Sequence, residues 1–338
     1  MKRVMSLVLF VALLLTMFVG TPVQAQNEDY DTDLTYESNP EVTSNLDEIK
    51  EKISELQRRG YIGDESSLNE INLPGQQQAS YDNVELLAET YVLVGLDTDT
   101  NKTIDIDQLI LDNGPADTEK PLNLVFYTLK ITDFIGNPNT TEADFVHSAA
   151  VTSALGCCSF PKDYTINSSV YQSTDGTIYA EFAKKIETVK IREDVNIVTR
   201  INTTFYWKSD ATAYANFKDA SNLAASGTEG PFLLNKKGVK YPEYTDNNSK
   251  LVLTKPASTT WTKGNIGCGL TPTERIKYRD YYDTSYGSIT WVDNLGRVKY
   301  EIHHIRPCNY GGTNIYDNLI PLPYDFHRKV VTPWWSSY

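Results

Sequence analysis

The sequence predicts an α+β chain: a β-rich domain over residues 81–255, then a small C-terminal module over residues 256–338. Three observations carry this expectation. ETYVLVGLD (89–97), NLVFYTLKIT (123–132) and NIVTRINTTFYW (196–207) are rich in β-branched and aromatic residues and partly alternate in polarity. Leu46, Ile49, Ile53 and Leu56, upstream of them, recur at helical spacing. The last forty residues read as strand, irregular loop, strand and helix, and they hold three of the chain's four histidines.

Residues 1–25 read as a secretory signal peptide. Lys2 and Arg3 precede an apolar run from Val4 to Val19, and Val23-Gln24-Ala25 ends in a small residue suited to cleavage. Residues 26–80 combine an acidic, polar leader, a helix over Asn45–Arg59 stopped by Gly60, and a linker from Asp64 to Ser80. Within the β-rich domain, Glu142–Leu155 and Tyr179–Val189 are expected to be helices, and His147 falls in the first of them. A lone histidine in such a place is more often packed or on the surface than catalytic. Pro256–Gly269 marks the next boundary. Pro272–Tyr282 is expected to form a short basic-aromatic helix. Ser288–Asp293 and Arg297–His303 are expected strands joined by a turn at Asp293–Gly296, with His304 starting the turn beyond.

The formal charge is −13, and loss of Lys2 and Arg3 with the signal takes it to −15. Such a surface as a whole does not attract nucleic acid. From Trp261 to Tyr338, however, nine Lys and Arg face seven Asp and Glu. A polyanionic partner is therefore expected at the C-terminal end. The signal implies a secreted protein with no stable membrane association after cleavage. Cys157, Cys158, Cys268 and Cys308 are then expected in disulfides, with three possible connectivities. Bridging the neighbours Cys157 and Cys158 is disfavoured because it strains their shared peptide.

The histidines give the C-terminal module its chemistry. Val298, Tyr300 and Ile302 alternate to one face of a strand, and Lys299, Glu301 and His303 to the other. A loop with Pro307 and Gly311-Gly312 leads through Asp317-Asn318 to a short strand at Leu319-Ile320. Pro321 and Pro323 end that strand, and Tyr324–Val331 is expected to be a helix closed by Pro333. This order can bring His327 opposite His303, and two facing neutral imidazoles make a metal site. His304, one residue on, points elsewhere and is free to act as a base.

The run Glu301-Ile-His303-His304-Ile-x-Pro307, then Gly-Gly, then Asp317-Asn318-Leu-Ile-x-Leu, then His327 nine residues after Asn318, resembles the HNH (ββα-metal) nuclease family. The local similarity is to the colicin type and related secreted bacterial toxins, and it covers roughly Arg297 to Val331. It implies that His303 and His327 ligate one divalent metal ion and that His304 is the general base. It implies that Asn318 stabilises the loop and holds the base. Glu301 and Arg297 match the colicin-type acidic and basic positions ahead of the histidine pair. Position 331 departs from the pattern: Val331 stands where the colicin type has another ligating histidine. The ligand count, and the choice among Mg²⁺, Mn²⁺, Zn²⁺ and Ni²⁺, therefore stay open.

The expectation that follows is a secreted, metal-dependent endonuclease hydrolysing phosphodiesters. DNA is the favoured substrate and RNA the alternative, and the role is that of a toxin or an extracellular nuclease. Arg328 and Lys329 are candidates for holding substrate phosphates. A toxin of this kind would have an immunity or inhibitor protein as partner. The contrasting reading is a surface or matrix binding protein whose C-terminal module is metal-stabilised and inactive.

Overall fold

Two antiparallel sheets packed face to face position everything else. The computed structural model describes residues 44–62, 80–100, 102–111, 123–156, 160–217, 221–264, 267 and 269–338, with only the backbone at 221–224. The expected signal peptide, the acidic leader, most of the linker and Cys157, Cys158 and Cys268 lie outside the described residues. The elements are α1 (Leu46–Arg58), β1 (Val84–Asp97), β2 (Lys102–Ile104), α2 (Ile106–Leu111), β3 (Leu124–Gly136), β4 (Asp144–Gly156), β5 (Asp163–Ser173), β6 (Ala180–Val189), β7 (Val195–Arg200), β8 (Phe205–Asn216) and β9 (Ser221–Leu234). One sheet has the order β2-β1-β3-β4-β7 and the other β6-β5-β8-β9. With the helices at both ends, the chain is α+β.

The core between the sheets is a size match. Tyr127, Leu129, Ile131 and Val151 of the first sheet meet Ala211, Ala213, Ala215 and Ala225 of the second. A Cβ on Gly227 would sit 2.7 Å from Ile131 Cδ1, so any larger residue would displace the Ile131 side chain. The outer side of the first sheet is covered by α1, whose Ile49, Ile53 and Leu56 pack with Tyr91 and Phe126. β3 is thus buried on both faces along its whole length, which accounts for its unbroken apolar run. The start of α1 is tied to β1 by Asn45, whose amide donates to Tyr91 O and accepts from Tyr91 N, both at 2.8 Å. That side chain occupies backbone groups of β1 as a neighbouring strand would.

Two expected helices are strands. Glu142–Leu155 reads as helical because it is apolar and alanine-rich without alternation. It is β4, central in its sheet and almost wholly buried, so burial on both faces removed the two-residue period. Tyr179–Val189 is largely β6, an edge strand. The stretch 196–207, expected to be one strand, is broken at 201–204, where the chain leaves β7 in one sheet for β8 in the other. His147 therefore lies on β4. It is fully buried, and its Nδ1 is 2.8 Å from Asp133 Oδ1. Ser209 of the other sheet donates to Asp133 Oδ2 at 2.6 Å, so Asp133 joins the two sheets.

Beyond β9 come α3 (Pro272–Tyr286), β10 (Tyr300–His304), β11 (Leu319–Pro323), α4 (Tyr324–Phe326), a π-helical turn (His327–Val331) and α5 (Thr332–Ser336). Helix α3 starts where expected, with a capping box between Thr271 and Glu274, and runs one turn further. The expected strand at Ser288–Asp293 is reduced to one bridge, Val292 to Val298. The turn at 293–296 is present: Gly296 N donates to Asp293 O, and Gly296 takes φ +82°. β11 continues through Pro323 because, among the described residues, it pairs with β10 alone, so its other edge needs no donor.

The module is seated on the sandwich by its aromatic C-terminus. Trp334 is buried against Tyr241 with ring centroids 4.7 Å apart, and its Nε1 donates to Val239 O at 2.9 Å. Truncating a buried tryptophan to alanine typically costs ~3–5 kcal/mol. From α3, the Tyr282 hydroxyl donates to Asp246 Oδ2 at 2.6 Å.

Candidate active site

The site stands on the β10–β11 pair, in register His303 to Ile320 and His304 to Leu319. His304 is thus the last residue of the strand rather than the first of the turn. Ile302 and Leu319 belong to an apolar cluster with Leu270, Tyr278, Tyr282 and Trp291. Tyr278 also donates to Leu319 O at 2.9 Å, fixing α3 across the pair. Strand alternation then puts Glu301 and His303 on the face away from Ile302, and returns His304 to the α3 side.

His303 and His327 face each other. Nδ1 of His303 is 3.0 Å from Nε2 of His327, and the ring centroids are 4.9 Å apart. Behind His327, Glu301 Oε2 accepts from its Nδ1 at 2.6 Å. Arg328 donates to both Glu301 oxygens, from Nε at 2.7 Å and Nη2 at 2.5 Å. The carboxylate can only accept, so the proton of neutral His327 is on Nδ1 and its Nε2 presents a lone pair to His303. Nε2 of His303 is buried without a hydrogen-bond partner.

Electrostatics keep both rings neutral. Burial drives His303 down to about 3, and the neighbouring His327 and His304 act in the same direction. Burial also lowers His327, with Arg328 and Arg275 adding to it, against the opposing pull of Glu301. Burial pushes the Glu301 carboxyl up, but its bonds to Arg328 and His327 outweigh that and hold it below the ordinary range. Neutral imidazoles are the form that binds metal.

The donor set fits a divalent ion. A 3.0 Å separation suits two nitrogens each ~2.1 Å from one centre. A carboxylate accepting from the far nitrogen of a ligating histidine is the usual outer support of such a ligand. Among the described residues no group of three or more His, Cys, Asp or Glu side chains could hold a metal. The side chains here that could hold such an ion are the two imidazoles. Val331, buried on the closing helix, supplies none.

The closing helix is continuous from Tyr324 to Ser336 but widens to a π turn over His327–Val331, where Thr332 N donates to His327 O five residues back. Pro333 follows at once. Its ring would crowd the carbonyl four residues earlier in a regular helix, and the wider turn relieves this. Pro333 thus reshapes the helix beside His327 instead of closing it as expected.

Asn318 organises the loop. Its Oδ1 accepts from Arg306 N at 2.8 Å, and its Nδ2 donates to Arg306 O at 3.1 Å and Thr313 O at 2.9 Å. A Cβ on Gly312 would lie 1.8 Å from Arg306 O, so the second glycine of the Gly-Gly pair is required by this close approach. The side chain that touches His304 is Asn314, whose Oδ1 is 2.9 Å from His304 Nε2. Asn314 Nδ2 in turn donates to Glu274 Oε1 at 3.2 Å.

The remaining expected residues are placed as follows. Arg297 Nε bonds Asp293 Oδ2 at 2.7 Å within the turn. Lys329 pairs with Asp325 at 3.1 Å on the exposed helix face. Arg328 is committed to Glu301 in this state. Cys308, in the loop, is disulfide-bonded. Sequence reasoning missed Asn314, Glu274 and the exposed Arg275. Thr271-Pro-Thr-Glu274 carries the spacing of a capping box, which signals a helix start but not the reach of Glu274 to Asn314. Nothing in the local sequence marks Asn314.

No protein-family model, no curated protein and no solved structure matches the chain.

Proposed function

We propose that the C-terminal module is a metal-dependent phosphodiester hydrolase of the HNH (ββα-metal) type, exported from the cell and acting on DNA, with RNA as the alternative substrate. The observation that carries this reading is the division within one histidine pair. His303 faces His327 with Glu301 behind it, while the adjacent His304 is held on the other face by Asn314.

A divalent ion held by His303 and His327 would supply positive charge to a non-bridging phosphate oxygen and to the departing 3′ oxygen. His304 uses its free Nδ1 to take a proton from the attacking water as the water oxygen bonds to phosphorus and the bond to the 3′ oxygen breaks. General-base help of this kind is typically worth ~10²–10⁴ in rate. Glu301 aims His327 and keeps its Nε2 unprotonated. Asn318 and Gly312 hold the loop that joins the two strands. Arg275, Arg328 and Lys329 provide exposed positive charge for flanking phosphates. For Arg328 and Lys329 this means exchanging a carboxylate partner for phosphate.

The physiological setting follows from the same reading: a toxin, accompanied by an inhibitor protein, or a scavenging nuclease outside the cell. Incubating the mature protein with plasmid and Mg²⁺, Mn²⁺, Zn²⁺ or Ni²⁺, beside His304→Ala, tests the chemistry. Metal-dependent nicking that is lost in the variant supports hydrolysis. Metal-bound but inert protein in both forms supports a binding protein with a metal-stabilised module.

A further inference from the structure

We infer that Asn314, oriented by Glu274, is a positioning residue that fixes the tautomer and aim of His304. This rests on the hydrolase reading for its meaning but on hydrogen-bond chemistry for its substance.

The contacts run inward from helix α3. Glu274 Oε2 accepts from Thr271 N and Oγ1, both at 2.7 Å, and its Oε1 faces Asn314 Nδ2 at 3.2 Å. The bonds from Thr271 and Asn314 hold this carboxyl below its ordinary range, so it is ionised at neutral pH and can only accept. Asn314 must therefore turn its amide NH₂ to Glu274 and its Oδ1 to His304. An amide oxygen can only accept, so His304 Nε2 must carry the hydrogen. Neutral His304 is left with its lone pair on Nδ1, the nitrogen that a base at this site needs. One carboxylate at a helix start thus decides, through one amide, which nitrogen of the catalytic imidazole is basic. The arrangement also ties the loop to α3, so the base is aimed by a rigid element.

A swap of chemistry tests this. Asn314→Asp sets two carboxylates against each other. Asn314→Asp combined with Glu274→Gln restores donor and acceptor at each contact. The introduced glutamine accepts from Thr271 and donates to the introduced aspartate, which accepts from His304. Both changes preserve side-chain shape, so the loop is kept. ¹⁵N spectra of histidine-labelled full mature chain, assigned with His304→Ala, read the tautomer directly. The native protein and the double variant should show His304 with hydrogen on Nε2, and Asn314→Ala should show a tautomer mixture. On plasmid, Asn314→Asp and Asn314→Ala should lose about 10²-fold in kcat with KM within a few-fold. The double variant should recover most of it. A native tautomer signature and native kcat in Asn314→Ala, or no recovery in the double variant, would overturn the inference. If native protein with metal cleaves nothing, the hydrolase reading has failed. The tautomer spectra still decide the role of Asn314 on their own.

Discussion

Nδ1 of His303 lies 3.0 Å from Nε2 of His327, and the Glu301 carboxylate backs the second ring. The contact joins the end of one strand to the first turn of the helix two elements later. Burial keeps both rings uncharged, and the bond to Glu301 turns the lone pair of His327 Nε2 to the meeting point.

Glu301→Ala removes the acceptor that fixes His327. Such outer supports are typically worth ~10–100-fold in metal affinity. Calorimetric titration with Zn²⁺ or Ni²⁺ should show that loss. Unchanged affinity would mean that Glu301 serves only its ion pair with Arg328.

Gly312→Ala drives a Cβ into the Arg306 carbonyl. The loop must open, breaking the bonds that Asn318 makes to both sides of it. Urea unfolding should show a loss of about 2 kcal/mol or more, while Gly269→Ala, with open space around it, should stay within about 0.5 kcal/mol. Equal stabilities for the two variants would refute the account of the loop.

Asp133→Ala leaves His147 and Ser209 buried without their shared acceptor. Leaving a buried polar group without its hydrogen-bond partner typically costs ~1–3 kcal/mol. Denaturation midpoints of the variant and the native chain give the comparison. A loss below about 1 kcal/mol would show that Asp133 does not join the sheets energetically.

Burial pushes the Glu229 carboxyl on β9 up to about 7, with Asp133 and Glu89 adding to it against the pull of Thr90 and His147. A carboxyl raised in the folded state contributes stability that is complete below its unfolded value. That stability is lost as pH rises through the folded value. The native protein should therefore weaken between about pH 4.5 and about 7, by up to ~1.4 kcal/mol per pH unit from this group. Glu229→Gln should flatten that slope in urea titrations across the range. A slope identical to the native one would locate the effect elsewhere.

Legibility from sequence divides by what a side chain's surroundings do to local pattern. Helix α1 and the β10–loop–β11–helix order are readable because their apolar residues keep helical or strand spacing and their glycines fall at ends and turns, although Pro321 and Pro333 do not end the elements that hold them. β4 is not readable, since burial on both faces erases alternation and leaves an alanine-rich run that reads as helix. β8 and β9 are obscured by alanines and a glycine that fit opposite Tyr127, Leu129 and Ile131, a requirement set by the other sheet. At the site, His303, His304, Asn318 and His327 stand out by residue type and spacing. Asn314 and Glu274 do not, because they meet across forty residues of chain and their meeting depends on how α3 docks.

The direct test of the central claim is a metal titration of the full mature chain, followed by calorimetry, with His303→Ala, His327→Ala and His304→Ala alongside. One divalent ion per chain, lost in the first two variants and retained in the third, is the result expected when the facing imidazoles hold the ion and His304 stands apart. No binding by native protein, or binding indifferent to both ligand substitutions, would contradict it.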